Sequence, residues 1–240
     1  MRFAFAAAAA LLLSSCILSP GKFVSTLHIG KDRSFTFTYV GEVILLDPAS
    51  AMQQGMQEGM ASTADSPDDA DADPEDVVAN AAAAPAPAAP AAETAQQIAE
   101  GKAIAEALSK EVGYRSVEYL GRNKFRVDYA MTGRLDRSFV YPVNLDAKSI
   151  IPWIAVEVRT DRTARVKAIA FGDPDEGMGS AAKPDNQEKE RSGTFTFSTD
   201  AELVMQNNED GMAPGPGTRV VWKVTPTSKT VPTAVVRFPG

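Results

Sequence analysis

Ser34-Phe35-Thr36-Phe37-Thr38-Tyr39 sets an aromatic ring at every second position with a threonine between each pair. Successive side chains of a strand point to opposite faces, so the rings share one face and the hydroxyls the other. Aromatic and β-branched residues at period two read as a half-buried strand. The stretch before it reads the same way: Phe23, Leu27 and Ile29 share a face with Ser25 between them, and His28 falls mid-strand on the less apolar face. Gly30-Lys31-Asp32-Arg33 is the turn that joins the two runs into a hairpin. On the far side the alternation passes into Val43-Ile44-Leu45-Leu46, a continuous apolar run that suits a buried strand end or the start of a helix.

The same pattern resumes after residue 113. Residues 114–120 alternate, with Arg115, Val117 and Tyr119 assigned to one face, and Gly121-Arg122-Asn123 turns the chain. Phe125, Val127 and Tyr129 follow, then short runs at 138–141, 150–158, 164–171 and 201–205. Pro152 lacks an N–H, so its strand starts at an edge or after that residue. Thr194 and Thr196 oppose Phe195 and Phe197; Val220, Trp222 and Val224 share one face; a last strand spans 234–238. Between the two blocks of strands, Ile98, Ile104 and Leu108 recur at helical spacing, predicting a helix over about 94–111. Thr94 with Gln97 fits a capping box, and Gly113 is the stop. The expectation is an α+β fold: a mostly antiparallel curved sheet of about nine or ten strands with one or two packed helices.

One stretch does not fit a core. Asp47-Pro48 is a helix start, with Met52, Met56 and Met60 spaced by four along it. Residues 61–92 are then an Asp-rich run followed by Ala-Pro sequence without aromatics, which cannot offset the entropy of ordering and is predicted to be a disordered insertion. Residues 34–101 hold 12 acids and no Lys or Arg, so the net charge of -7 hides a mildly basic body.

The amino terminus is of another kind. Met1-Arg2 precedes eleven apolar residues, Phe3 to Leu13, which is too few for a transmembrane helix of about 20 and matches an export signal. It ends in Leu13-Ser14-Ser15-Cys16, which resembles the lipobox of bacterial lipoproteins. The resemblance implies cleavage before Cys16, a diacylglycerol thioether on its sulfur and acylation of the new amino terminus. Cys16 is the only cysteine, so no internal disulfide competes for it. Ile17, rather than Asp, after the cysteine resembles outer-membrane rather than inner-membrane sorting. The organisation read from the sequence is a signal peptide at 1–15, lipidated Cys16 with a linker to residue 22 around Pro20-Gly21, hairpin and helix at 23–60, insertion at 61–92, and the rest of one domain at 93–240.

Pro20-Gly21-Lys22-Phe23, the run Lys31-Asp32-Arg33-Ser34-Phe35-Thr36-Phe37-Thr38-Tyr39, the later Phe195, Phe197 and Thr199, the Asn207-Asn208 turn with Asp210-Gly211, and Trp222 resemble uncharacterised lipoproteins of alphaproteobacteria. More distantly they are similar to LppM-like lipoproteins, which implies an α/β fold with a lipid-binding role. No catalytic residues come with that resemblance.

Chemistry-bearing motifs are sparse. His28 is the only histidine, and with one cysteine the usual transition-metal sets and a Ser-His-Asp triad have little to draw on. Gly177-Met178-Gly179 lacks the setting of a phosphate loop, and the Asp run from Asp65 to Asp76 lacks the central Gly and final Glu of a calcium loop. Ile150-Ile151-Pro152-Trp153-Ile154 reads as a buried strand before an interfacial anchor. The expected function is a membrane-anchored, periplasm-facing, non-enzymatic lipoprotein that uses no cofactor and binds no nucleic acid. Its partners would be anionic lipid, glycolipid or an envelope protein. The alternatives are an envelope hydrolase with a cryptic acidic site and a purely structural envelope component.

Overall fold

A computed structural model of the chain describes residues 17–46, 93–142, 152–172 and 190–240. The signal peptide, Leu13, Ser14, Ser15 and Cys16, the helix expected after Asp47 and the acidic insertion lie outside the described residues.

The aromatic alternation forms the hairpin as expected. Strand β1 (Ile17–Ile29) pairs antiparallel with β2 (Ser34–Leu46), setting Leu27 opposite Phe37. The turn is closed by the Arg33 N–H on the Gly30 carbonyl at 2.9 Å, with Arg33 left-handed at φ 69°. The Asp32 carboxylate accepts from the Ser34 N–H at 3.0 Å and the Ser34 hydroxyl at 2.6 Å, which holds its pKa below the ordinary value. Residues 17–22, expected as a linker, are strand. Pro20 and Gly21 are accommodated because the register slips between Pro20 and Phe23, and a bulge is where a strand tolerates proline.

Thr94 caps helix α1 (Ala95–Leu108) through the capping box with Gln97. There follow β3 (Tyr114–Gly121), β4 (Lys124–Arg134), β5 (Phe139–Tyr141), β6 (Ile154–Val158), β7 (Thr163–Lys167), β8 (Ser192–Thr199), β9 (Glu202–Gln206), β10 (Thr218–Val224) and β11 (Thr233–Arg237). The fold is α+β and mostly antiparallel, and its strands divide into two sheets. Sheet I has the order β10-β8-β1-β2-β4-β3 and sheet II the order β5-β6-β7-β11-β9. The β1–β8 pair is parallel. Because β2 pairs with β4, strands from before and after residues 47–92 lie side by side.

Two local readings differ from the sequence. The 164–171 run leaves strand at Lys167 and closes as a 3-10 turn, Ile169–Phe171, which turns the Phe171 ring into the core. In β3 the register slips between Tyr114 and Ser116, so Tyr114 joins Val117 and Tyr119 on the inner side while Arg115 points out.

The inner face of sheet I meets sheet II through rings. Phe35 lies 4.9 Å from Phe139, Phe37 4.9 Å from Tyr141, Tyr39 5.2 Å from Trp153 and Phe23 4.2 Å from Phe171, centroid to centroid. Such pairs each contribute about 0.5–1.5 kcal/mol beyond their buried area. Helix α1 covers β3 beside sheet II; Gly101 lets the helix backbone sit against the Tyr119 ring. The outer face of sheet I carries the hydroxyls. Thr26 and Thr38 are 2.6 Å apart oxygen to oxygen, and Arg126 of β4 donates to Glu118 of β3 at 3.1 Å.

Burial has a consequence in alkali. Tyr39 and Tyr141 are almost wholly buried, which pushes both hydroxyls well above the ordinary 10.0. Tyr114 is pushed up to about 12, by burial first and Tyr129 second. The fold therefore favours the neutral phenols. The phenols' contribution to stability is expected to be flat up to about pH 10 and to fall as pH rises toward about 12, where the folded Tyr114 ionises. Urea midpoints across that range, read beside tyrosinate absorbance, check this; a flat profile to pH 12 would contradict it.

Candidate functional site

Beyond β9 the chain reads Gln206-Asn207-Asn208-Glu209-Asp210, and the two asparagines fasten this loop to both sheets. Asn207 donates through Nδ2 to the Val231 carbonyl at 2.8 Å and accepts at Oδ1 from the Thr233 N–H at 2.9 Å, holding the sheet II side. Asn208 donates through Nδ2 to the Val221 carbonyl at 2.7 Å, holding β10 of sheet I, and accepts at Oδ1 from the Asp210 N–H at 3.0 Å. A short amide side chain that offers donor and acceptor together can stand in for a missing strand neighbour.

Between the two attachments lies an open cleft of about 260 Å³. Its floor is apolar, formed by Phe171, Trp222 and Pro232, and Glu209, Asp210, Lys223 and Thr230 stand on its rim. Trp222 is 7% exposed and stacks on Phe195 at 5.6 Å, and its indole N–H has no acceptor among the described residues. Arg191, 5% exposed, stitches the far wall by donating to the Ala170 carbonyl and the Ser228 carbonyl, both at 3.2 Å. Seven of the eleven lining residues are polar or charged, more than in the mostly apolar sites that take most small ligands.

No family model matches the chain, and no curated protein matches it. Among solved structures it is similar to the NMR structure of the folded domain of the Mycobacterium tuberculosis LppM protein, with 11% identity, 92% of each chain covered and a TM-score of 0.33.

The residues singled out in the sequence fall as follows. Cys16 and the lipobox lie outside the described residues, one position before β1. His28 is exposed on the outer face of sheet I, its Nδ1 3.0 Å from the Ser198 hydroxyl. Trp153 is core at 2% exposed, and its Nε1–H donates to the Leu18 carbonyl at 2.9 Å. Glu42 and Glu190, the carboxylates brought together at the end of sheet I, share Lys124, whose ammonium contacts Glu190 and lies 3.7 Å from Glu42; that pairing, Glu190 first, raises the lysine pKa. No group of three or more His, Cys, Asp or Glu among the described residues could hold a metal ion, and no helix among them is long and apolar enough to cross a membrane. Asn207-Asn208 was legible only as a turn. Its role as a double fastener depends on β10 and β11, which follow it in the chain.

Asn208→Ala removes both of its bonds and leaves the Val221 carbonyl without its partner. The expected cost is about 1–2 kcal/mol in the urea-unfolding free energy. A loss below a few tenths would mean that the loop is held by other contacts.

Proposed function

We propose that the chain is a lipid-anchored, non-enzymatic protein of the bacterial cell envelope, of the LppM-like kind, and that its cleft takes the sugar headgroup of a glycolipid. The observation that carries this reading is strand register. Phe23 on β1 pairs with Gly193 on β8, and Gly193 with Val224 on β10, so the cleft opens at the same end of sheet I as the start of β1. From Phe23 back to Ile17 the strand rises only about 20 Å. A lipid on Cys16 would thus present the cleft toward the bilayer.

The lining favours a headgroup over an acyl chain. The space between the sheets is occupied by the rings described above, whereas the cleft rim is polar. Within headgroups it favours hydroxyls over phosphate, because Glu209 and Asp210 on the rim are acceptors that repel an anion, and the guanidinium of Arg191 in the far wall is already engaged with two carbonyls. The resemblance of Leu13-Ser14-Ser15-Cys16 to a lipobox supports a periplasm-facing position in this reading, and Ile17 after the cysteine supports the outer membrane.

Two measurements test this. Wild type should partition with detergent and Cys16→Ser should not; equal partitioning would remove the anchor. The full-length Cys16→Ser chain should sediment with vesicles containing a glycosyl diacylglycerol and not with phosphatidylcholine alone, and Asp210→Ala should weaken that binding roughly tenfold. Equal sedimentation with both vesicle types would remove the headgroup.

A further inference from the structure

We infer that residues 17–20, the start of β1, are a strap that unfastens from sheet I as a unit while the rest of β1 stays in place. The strap follows from the strand pairing and is independent of the cleft; its use as the joint between anchor and body rests on the lipid anchor proposed above.

β1 is held differently on the two sides of its bulge. From Lys22 to Ile29 it lies beside β8 as well as β2. Phe23 is gripped there: Gly41 and Gly193 close on its backbone, and its ring stacks on Phe171 and Tyr39. Residues 17–20 have β2 alone, because the pairing with β8 begins only at Lys22. The register breaks between Pro20 and Phe23, so the two parts of the strand do not share one continuous ladder.

The ladder of the strap is thin. Opposed residues of an antiparallel pair alternate between bonded and unbonded pairs. Leu45 directs its N–H to the Asn123 carbonyl at 2.8 Å, on the β4 side, so Leu18 opposite Leu45 is an unbonded pair. Pro20 opposite Val43 is unbonded by the same alternation, and the proline has no N–H to give. Ser19 with Ile44 and Ile17 with Leu46 remain as the bonded pairs. The Leu18 carbonyl faces away from β2 and is latched by the Trp153 indole N–H at 2.9 Å. The Leu18 side chain, half-buried against the core, is the other hold.

The neighbours of the strap are fastened without it. β2 keeps β4 beside it, with Ile44 opposite Lys124 and Leu45 bonded to Asn123. Glu42, Lys124 and Glu190 join β2, β4 and the approach to β8, and none of the three is on the strap. Opening therefore gives up two bonded pairs, one latch and one half-buried leucine, which is the scale of a local opening and not of global unfolding. Docked, the strap sets Cys16 on the line of β1 and fixes the angle of the cleft to the bilayer. Released, it is a tether of about 14 Å, four residues at about 3.4 Å each, on which the body can turn.

The test is amide hydrogen exchange read by NMR on the detergent-solubilised full chain. The Ser19 amide should exchange about a hundredfold faster than that of Leu27, and low urea should leave the Ser19 rate unchanged while it speeds Leu27. Leu45, across from the strap, should exchange at least tenfold more slowly than Ser19, because its bond to Asn123 survives the opening. Trp153→Phe removes the latch and should raise the ratio of the Ser19 rate to the Leu27 rate about tenfold. Equal protection at Ser19 and Leu27 overturns the inference. So does Leu45 opening together with Ser19, which would make the whole end of the sheet the opening unit. An unchanged ratio in Trp153→Phe overturns the latch; should that variant not fold, the wild-type rates decide. Detergent partitioning of Cys16→Ser decides separately whether there is an anchor for the strap to serve.

Discussion

Gly193→Ala should destabilise the protein by about 3 kcal/mol, the upper range for overpacking a closed core. Gly193 sits in β8 with Phe23 of β1 on one side and Val224 of β10 on the other. A methyl group built there falls well inside contact with the Phe23 carbonyl oxygen and carbon, which are backbone and cannot rotate away. From the opposite side Gly41 already closes on the same residue: a Cβ there would be 2.5 Å from the Lys22 carbonyl and 2.6 Å from the Phe23 Cα. β1 is therefore confined between two glycines just past its bulge. Any shift would lift the Phe23 ring off Phe171 and Tyr39, which it stacks on at 4.2 Å and 5.7 Å. Urea unfolding measures the cost. Thr194→Ala, one residue along and facing outward, should stay within about 0.5 kcal/mol and serves as the control. Similar values for both variants would refute the close-approach argument.

Trp153→Ala should cost about 4–5 kcal/mol and Trp153→Phe about 2. Trp153 is almost fully buried against Tyr39 at 5.2 Å and Tyr141 at 5.8 Å, so truncation opens a large cavity between the sheets. Phenylalanine refills most of that volume, and what it loses is the indole N–H on the Leu18 carbonyl at 2.9 Å. That bond joins residues 135 positions apart and is the polar tie between sheet II and the start of β1. Equal losses for the two variants would mean that the hydrogen bond, not the volume, carries the site.

The elements that depend on neighbours in sequence were legible. Phe35, Phe37 and Tyr39 announce a strand by spacing alone, and Thr94 with Gln97 announces the start of α1. What depends on distant partners was not. Nothing in Phe23 to Ile29 says that the strand also pairs in parallel with residues 192–199, or that the strands separate into two sheets. Pro20-Gly21 looks like a linker because its local chemistry is that of a turn; only the β2 partner and the bulge make it strand. Period two sets Arg115 on the face of Val117, because it has no means of announcing the slipped register that turns Arg115 outward and brings Tyr114 in. The cleft was hidden for the same reason. Its walls come from Phe171, Asn207 to Asp210 and Trp222 to Pro232, which meet only after β9, β10 and β11 have found their places.

The placement of β1 bears on how the protein would carry load. A pull on the chain just before Ile17 is a pull along the axis of β1. That strand is flanked by β2 on one side and β8 on the other, the first antiparallel and the second parallel. The bonds of an antiparallel ladder lie across the strands, so tension along β1 shears them together instead of opening them one after another. Pulled from this end, the fold resists as a bolt held between two plates, and its lifetime under force is set by the rate at which the whole β1 seam yields.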